Sequence, residues 1–116
     1  MKSLGLVYER RAADYLVAQG LSLIEKNYRC RQGEIDLIMR DQETLVFVEV
    51  KQRTANRFGS AAATVTQEKL SKIFRTAESF LQKHPELANL RARFDVVAFQ
   101  NSNPTPQWFK SVFTSS

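Results

Sequence analysis

Two short apolar stretches each carry charged side chains that would suit a metal ion. The first, residues 33–40, contains Asp36, and the second, residues 45–51, contains Glu49 and Lys51. Paired carboxylates suit Mg²⁺ or Mn²⁺, because these ions prefer oxygen ligands. A metal ion there would polarise a phosphoryl oxygen and lower the pKa of a bound water, and a nearby lysine would stabilise the developing negative charge. These residue types therefore suit phosphodiester hydrolysis.

The two stretches have the length and the Ile- and Val-rich composition of β-strands, and the polar link 41–44 joins them. This pattern predicts an antiparallel hairpin. If the four link residues form the loop, one face carries the opposed pairs Arg40 with Leu45, Ile38 with Phe47, Asp36 with Glu49, and Glu34 with Lys51. The other face is then a core surface made of Ile35, Leu37, Met39, Val46, Val48 and Val50. Opposed side chains lie about 5 Å apart, so Asp36 and Glu49 would repel each other unless a cation joined them.

The same charges also fit a purely structural role. In that interpretation Glu34 pairs with Lys51, and Asp36 pairs with Arg31 or Arg53, as a network of ion pairs across the strands. Opposite charges on neighbouring strands stabilise a sheet whether or not they have a function. The residues alone favour neither interpretation.

Composition and charge favour one domain, residues 1–116, with a polyanionic partner. Hydrophobic residues make up 43% of the chain, and no apolar run approaches the length of a membrane span, so we expect no membrane partner. The net charge of +5 and the pI of about 9.7 favour nucleic acid, without separating DNA from RNA. The early Glu9 argues against a secretory signal, and the single Cys30 fits a reducing cytoplasm. Cys30 and His84 are too few for a zinc site.

Hydrophobic periodicity predicts two helices and three further strands around the hairpin. The helices span 4–19 and then Thr64 or Thr66 to residue 83, and the strands span 21–28, 92–100 and 107–114. The apolar stripe of the first helix consists of Leu6, Tyr8, Ala12, Ala13, Leu16 and Val17. Glu9 lies at the edge of this stripe, where a solvated carboxylate is the ordinary interpretation. One sheet covered by two helices would bury both apolar stripes, which predicts an α/β fold.

Four arginines flank the hairpin where they would contact phosphates. Arg29 and Arg31 lie in a predicted bend before the hairpin, and Arg53 and Arg57 lie in a predicted mobile loop after it. A solvated linker explains that loop equally well. The basic residues therefore support a nucleic-acid partner without requiring one.

The last two strands are predicted from alternation alone. The first places Phe94, Val96 and Ala98 on one face and Arg93, Asp95, Val97 and Phe99 on the other. We expect Asp95, a carboxylate among apolar residues, to form a salt bridge or a hydrogen bond at the sheet edge. The second strand places Trp108 and Val112 on one face and Phe109 and Phe113 on the other.

The charged residues also match the pattern of a known group of proteins. Asp36, twelve intervening residues and then Glu49-Val50-Lys51 resemble the D…ExK core of the PD-(D/E)xK nuclease superfamily. The chain resembles the bacterial YraN-type family in Gly33-Glu34-Ile35-Asp36-Leu37-Ile38, in Phe47-Val48-Glu49-Val50-Lys51 with Arg53, in Arg93-Phe94-Asp95-Val96-Val97, and in Gly5, Glu9, Ala12, Tyr15-Leu16 and Gly20. Ile35 stands where the superfamily name has a proline.

The resemblance implies a fold and a set of site residues. The fold is restriction-endonuclease-like, with a mixed central sheet flanked by helices. Mg²⁺ or Mn²⁺ would be held by Asp36, Glu49 and the Val50 carbonyl, and Lys51 would be the active-site lysine. The family is similar to archaeal Holliday junction resolvases, which place a glutamate in the first helix, and that glutamate maps onto Glu9 as a catalytic and metal-binding residue. Gln67 and Lys69 at the start of the second helix are further candidates for substrate contact.

The leading expectation is a metal-dependent DNA endonuclease of the cytoplasm, acting on branched or damaged DNA. The resolvase relatives act as dimers, so a homodimer is the assembly they imply. One alternative is a nucleic-acid-binding module of the same fold with little or no turnover, whose binding would be sensitive to salt. The other is a protein-interaction adaptor in which the carboxylates are structural.

Overall fold

The protein is a mixed α/β structure, seen in a computed structural model that describes residues 4–53, 67–100 and 103–113. Its elements in chain order are α1 (Leu4–Ala18), β1 (Ser22–Cys30), β2 (Gly33–Asp41), β3 (Thr44–Arg53), α2 (Gln67–Lys83), a short 3-10 helix (Pro85–Leu87), β4 (Arg91–Gln100) and β5 (Gln107–Phe113). Thr64 and Thr66, the predicted caps of the second helix, and the predicted loop from residue 54 onwards lie outside the described residues. Neither α1 nor α2 is long and apolar enough to cross a membrane.

The five strands form one sheet in the order β1-β2-β3-β4-β5. Neighbouring strands are antiparallel except β3 and β4, which run parallel. A parallel pair needs a crossover connection, and α2 lies in the connection between these two strands. The expected mixed sheet with flanking helices, consistent with a restriction-endonuclease-like fold, is confirmed.

A helix covers each face of the sheet, and each face has its own hydrophobic core. The α1-side core contains Ala12, Ala13, Leu16, Leu21, Leu37, Met39, Val46, Val48, Val97 and Phe99. The α2-side core contains Tyr28, Ile35, Ile38, Leu45, Phe47, Ile73, Phe80, Phe94, Val96 and Ala98. The predicted alternation of the strand at 92–100 is therefore confirmed, because its odd and even apolar residues enter different cores.

The inward face of α1 differs from the predicted stripe. Ala12 and Leu16 are fully buried, whereas Leu6 and Val17 are 44% and 51% exposed. An α-helix has 3.6 residues per turn, so Glu9 lies on the buried side of α1 with Ala12 and Leu16. Leu6 and Val17 lie beyond the edge of that side. The prediction that Leu6 and Val17 belong to the core is wrong, because the helix approaches the sheet through its small alanines.

The hairpin keeps the predicted register but has a shorter turn. Ile38 pairs with Phe47, and Asp41 pairs with Thr44 around a two-residue turn. The pairing ends at Leu37 and Val48. The expected direct opposition of Asp36 to Glu49, and of Glu34 to Lys51, is therefore wrong, because β2 and β3 separate one step before these residues.

Side chains of β2 stop alternating at Asp36. Ile35 packs in the α2-side core, whereas Leu37 packs in the α1-side core, although residues two apart in a strand normally share a face. On β1, Asn27 has a left-handed φ of 54° between the residues that pair with Ile35 and Leu37. The prediction that Ile35 shares a face with Leu37 is wrong, because both strands are irregular at this point.

Asp95 forms a salt bridge and hydrogen bonds, as predicted, although β4 lies inside the sheet and not at its edge. Asp95 is fully buried and accepts hydrogen bonds from Arg93 Nε at 3.1 Å, Trp108 Nε1 at 2.9 Å and the Ser111 backbone N–H at 2.9 Å. Ser111 has a φ of 52°, and Val112 packs on the α2 side while Trp108 packs on the α1 side. The predicted shared face of Trp108 and Val112 is wrong, because the chain bulges to bring Ser111 to Asp95.

Candidate functional site

Asp36 lies where β2 and β3 separate. Its Oδ2 accepts a hydrogen bond of 2.8 Å from the backbone N–H of Val50 on β3, just beyond the last paired residues, Leu37 and Val48. The irregularity at Asn27 and Asp36 allows this contact, since a regular strand would direct the side chain away from its neighbour in the sheet. The fork between the two strands therefore carries a fixed carboxylate.

The carbonyl oxygen of Val50 belongs to the same fork. In an extended strand the N–H and the C=O of one residue point to the same side, because opposed residues exchange both bonds. The Val50 N–H is bonded to Asp36, so its C=O is also directed towards β2. This position fits the expected role of Val50 as a backbone ligand beside Asp36.

Glu9 approaches Asp36 from the α1 side. Its Oε1 atom is buried and has no hydrogen-bond partner among the described residues. The nearby Glu9 and Glu49 carboxylates also act on Asp36. Burial, followed by these two negative charges, raises the pKa of Asp36 to about 7 against the opposing effect of the Val50 N–H. Glu9 thus lies close to Asp36 with one oxygen shielded from solvent, unlike the solvated carboxylate that the sequence alone suggested.

Glu49 faces the other side of the sheet and is held by two lysines. Its Oε2 atom lies 2.7 Å from Lys51 Nζ and 2.5 Å from Lys69 Nζ. Burial alone would raise the pKa of Glu49, but the two ammonium groups outweigh burial, so the pKa is lowered. Burial lowers the pKa of Lys51 despite its bond to Glu49.

The three carboxylates therefore reach the fork from different directions. Glu9 comes from α1, Glu49 comes from the α2-facing side of β3, and Asp36 lies close enough to both to be affected by their charges. Clusters of titratable groups with perturbed pKa values are typical of functional sites.

Carboxylate oxygens at the fork fit a hard divalent cation. The Glu9 Oε1 atom is unpartnered among the described residues, and burial with the Glu9 and Glu49 charges raises the pKa of Asp36, an effect that a bound cation would oppose. Among the described residues, no group of three or more His, Cys, Asp or Glu side chains forms a ready-made metal cage. Mg²⁺ needs no such cage, because one or two carboxylates, waters and substrate phosphates complete its coordination. Asp36 and Glu49 would hold the ion, with Glu9 and the Val50 carbonyl as further oxygen donors.

The predicted substrate contacts that the structure describes lie on β1, on the turn before β2 and in the first turn of α2. Arg29 is paired with Glu34 at 3.1 Å and both are exposed, so the expected pair of Glu34 with Lys51 is wrong. Arg31 is exposed in the turn before β2 and Gln67 is exposed at the start of α2. The side chain of Arg53 and all of Arg57 lie outside the described residues.

Sequence reasoning missed two features of the site. It treated Lys69 only as a substrate contact and not as a partner of Glu49, because no pattern in the sequence shows where a second helix meets a hairpin. It also missed the irregularity at Asn27, although asparagine tolerates a left-handed backbone better than most residues. The asparagine at position 27, on the strand next to Asp36, was the one sign of this irregularity in the sequence.

Comparison with known proteins identifies the family. The model of the family described as "Uncharacterised protein family UPF0102" matches residues 8–99, which include the whole hairpin and α2. The chain belongs to this family. The UPF0102 protein of Alcanivorax borkumensis is 44% identical over 98% of this chain and 94% of its own length. That of Alkalilimnicola ehrlichii is 49% identical over 92% and 83%, and that of Saccharophagus degradans is 48% identical over 95% and 92%. The expected YraN-type relationship is thereby confirmed at the level of the UPF0102 family.

Proposed function

We propose that this protein is a metal-dependent endonuclease that hydrolyses phosphodiester bonds in DNA with Mg²⁺ or Mn²⁺. The observation that carries the proposal is the convergence of Glu9 and Glu49 on the partly buried Asp36, whose carboxylate is fixed by the Val50 N–H. The close carboxylates of Glu9 and Asp36 repel each other unless one of them gains a proton or a cation lies between them. The resemblance to the PD-(D/E)xK superfamily supports the cation.

Each side chain has a part in the proposed reaction. The bound metal ion would supply Lewis acidity and an activated water. Asp36 is held in a fixed position by the Val50 N–H, which keeps one ligand in place before the ion arrives. Lys51, partly buried beside Glu49, would stabilise the negative charge that develops on the phosphate in the transition state. Glu9 would provide a further oxygen through its unpartnered Oε1.

A polyanionic substrate suits the charge of the chain. The net charge is +5, and Lys69, Lys72 and Arg31 lie on α2 and on the turn before β2. Positive side chains near a cleavage site position the phosphate backbone without reading its sequence. The resemblance to junction resolvases makes branched DNA the first substrate to test and a homodimer the assembly to expect.

The test is cleavage of a labelled panel of duplex, single-stranded, flap and four-way-junction DNA, with a matching RNA duplex, in Mg²⁺ or Mn²⁺. We expect wild type to cut at least one DNA substrate, and Asp36→Asn and Lys51→Ala to reduce the rate by about 100-fold or more. Glu43→Gln is the matched control, because Glu43 lies in the turn at the opposite end of the same hairpin with an 85% exposed side chain. If wild type cuts no substrate with either ion, the proposal is wrong.

A binding module of the same fold is the second candidate, and the lysine pair on Glu49 favours it. Lys51 and Lys69 already neutralise that carboxylate without a metal ion, as a structural network would. Under this alternative, wild type, Asp36→Asn and Lys51→Ala would all bind DNA with similar, salt-sensitive affinity, and none would cut it.

A further inference from the structure

Two ammonium groups share one oxygen atom at the fork. Lys51 Nζ and Lys69 Nζ both lie within 2.7 Å of Glu49 Oε2. Lys51 belongs to the same strand as Glu49, whereas Lys69 extends from the first turn of α2. The Lys69 side chain is also the more exposed of the two, at 37% against 21%. Lys69 is therefore the cation that can leave Glu49 without moving β3.

The charge of Asp36 also acts on Lys69. Burial alone would lower the pKa of Lys69, but the bond to Glu49 and the charges of Glu49 and Asp36 are among the effects that outweigh it, so the pKa is raised. The Lys69 ammonium thus lies in the field of both carboxylates that would hold a metal ion. An ammonium group has donors but no acceptor, so it and a divalent cation compete for the same oxygen.

We infer that Lys69 is a positioning residue that occupies Glu49 in the metal-free protein and is displaced when a divalent cation binds to Asp36 and Glu49. This inference rests on the proposed function, because it takes the same two carboxylates as metal ligands. It gives Lys69 a role different from that of Lys51, which remains beside Glu49 on its own strand. The displaced ammonium of Lys69 would then face the substrate phosphate beside the ion.

The contact predicts an unusual response to mutation. Removing a residue that only supports the structure would leave metal affinity unchanged or weaken it, since the site would become less ordered. Removing a residue that competes with the metal ion would strengthen metal affinity. We expect Lys69→Met to bind Mn²⁺ about 3- to 10-fold more tightly than wild type, the range for losing one partly exposed ion pair.

The experiment is titration calorimetry of Mn²⁺ into the full chain without nucleic acid. Lys72→Met is the matched control: Lys72 lies three residues further along α2, and its side chain is paired with Glu68 at 3.7 Å and not with Glu49. We expect Lys72→Met to bind Mn²⁺ as wild type does. Lys69→Arg, which keeps the charge, should restore an affinity close to that of wild type. Lys69→Gln provides a second neutral variant if Lys69→Met does not fold, as checked by circular dichroism.

The outcomes separate the inference from the proposed function. If wild type binds Mn²⁺ and the neutral variants bind it equally or more weakly, Lys69 is not a competitor and only the inference is overturned. If wild type and every variant bind no Mn²⁺, the proposed function and the inference are overturned together. Tighter binding by both neutral variants, with Lys69→Arg and Lys72→Met like wild type, supports the inference.

Discussion

The carboxylate of Asp36 accepts a hydrogen bond from the backbone N–H of Val50 where β2 and β3 stop pairing. This bond ties the side chain of one strand to the backbone of the next. It favours the charged carboxylate, whereas burial and the charges of Glu9 and Glu49 disfavour it more strongly. The protein therefore keeps Asp36 in a position that costs stability in the absence of a cation, which is typical of a functional site.

Asp36 should make the metal-free protein less stable as the pH rises. Its folded pKa of about 7 lies above the ordinary 3.8, so the folded state binds more protons between these values. The stability that the protonated Asp36 contributes is fully present below about pH 4 and is lost as the pH rises through 7. Asp36→Asn has no such loss and should be more stable than wild type at pH 8 by about 1–3 kcal/mol.

Urea denaturation at pH 5 and pH 8, with a chelator present, measures this difference. The advantage of Asp36→Asn should be larger at pH 8 than at pH 5. A variant that is less stable than wild type at pH 8 would show that the hydrogen bond from Val50 outweighs the repulsion.

Mn²⁺ should stabilise wild type and not Asp36→Asn. A ligand that binds only the folded state raises the free energy of unfolding by about 2.7 kcal/mol at 100 times its Kd. Thermal unfolding at pH 7.5 with and without Mn²⁺ is the measurement, and Glu43→Gln should show the same increase in Tm as wild type. An equal increase in Asp36→Asn would place the ion elsewhere.

Glu49→Gln should have the opposite effect on stability from Asp36→Asn. Glu49 is the shared partner of Lys51 and Lys69, so a neutral amide would remove the negative charge that both partly buried ammonium groups contact. We expect a loss of about 1–3 kcal/mol in the metal-free protein at pH 7. Equilibrium urea denaturation measures it, and a gain in stability would contradict the role of Glu49 as the anchor of both lysines.

Asp95 should behave as a structural carboxylate and not as part of the site. Asp95→Ala would leave Arg93 and Trp108 without their buried acceptor, and we expect a loss of about 3–5 kcal/mol. Mn²⁺ affinity measured at a temperature where the variant is folded should match wild type. A loss of Mn²⁺ affinity in folded Asp95→Ala would extend the site to β4.

The sequence was informative where regular geometry holds and misleading where it does not. Alternation predicted the hairpin register at Ile38 and Phe47, and the apolar faces of the strand at 92–100, because the ladder is continuous there. It failed at Asp36 because the ladder ends at Leu37. The end of pairing lies beside Asn27 of β1, whose φ is positive, and such a local irregularity is not visible in the alternation of apolar residues. The contact of Lys69 with Glu49 could not be predicted from the sequence either, since it depends on how α2 packs on the sheet.

Gly33, at the start of β2, should be destabilised by a side chain because α2 approaches it closely. A Cβ atom there would lie 3.2 Å from Oγ1 of Thr76, which is fully buried and bonded to the Lys72 carbonyl at 2.7 Å. The φ of 157° at Gly33 also suits glycine better than other residues. We expect Gly33→Ala to lose about 1–2 kcal/mol of unfolding free energy.

A double-mutant cycle with Thr76→Ala separates the two causes of that loss. If the close approach dominates, Gly33→Ala should cost less in the Thr76→Ala background, because Oγ1 is absent there, and the coupling measured by urea denaturation should be about 0.5 kcal/mol or more. An equal cost in both backgrounds would assign the loss to the backbone conformation alone. A confirmed coupling would show that Gly33 sets how closely α2 packs on the hairpin, and α2 is the helix that carries Lys69 to Glu49.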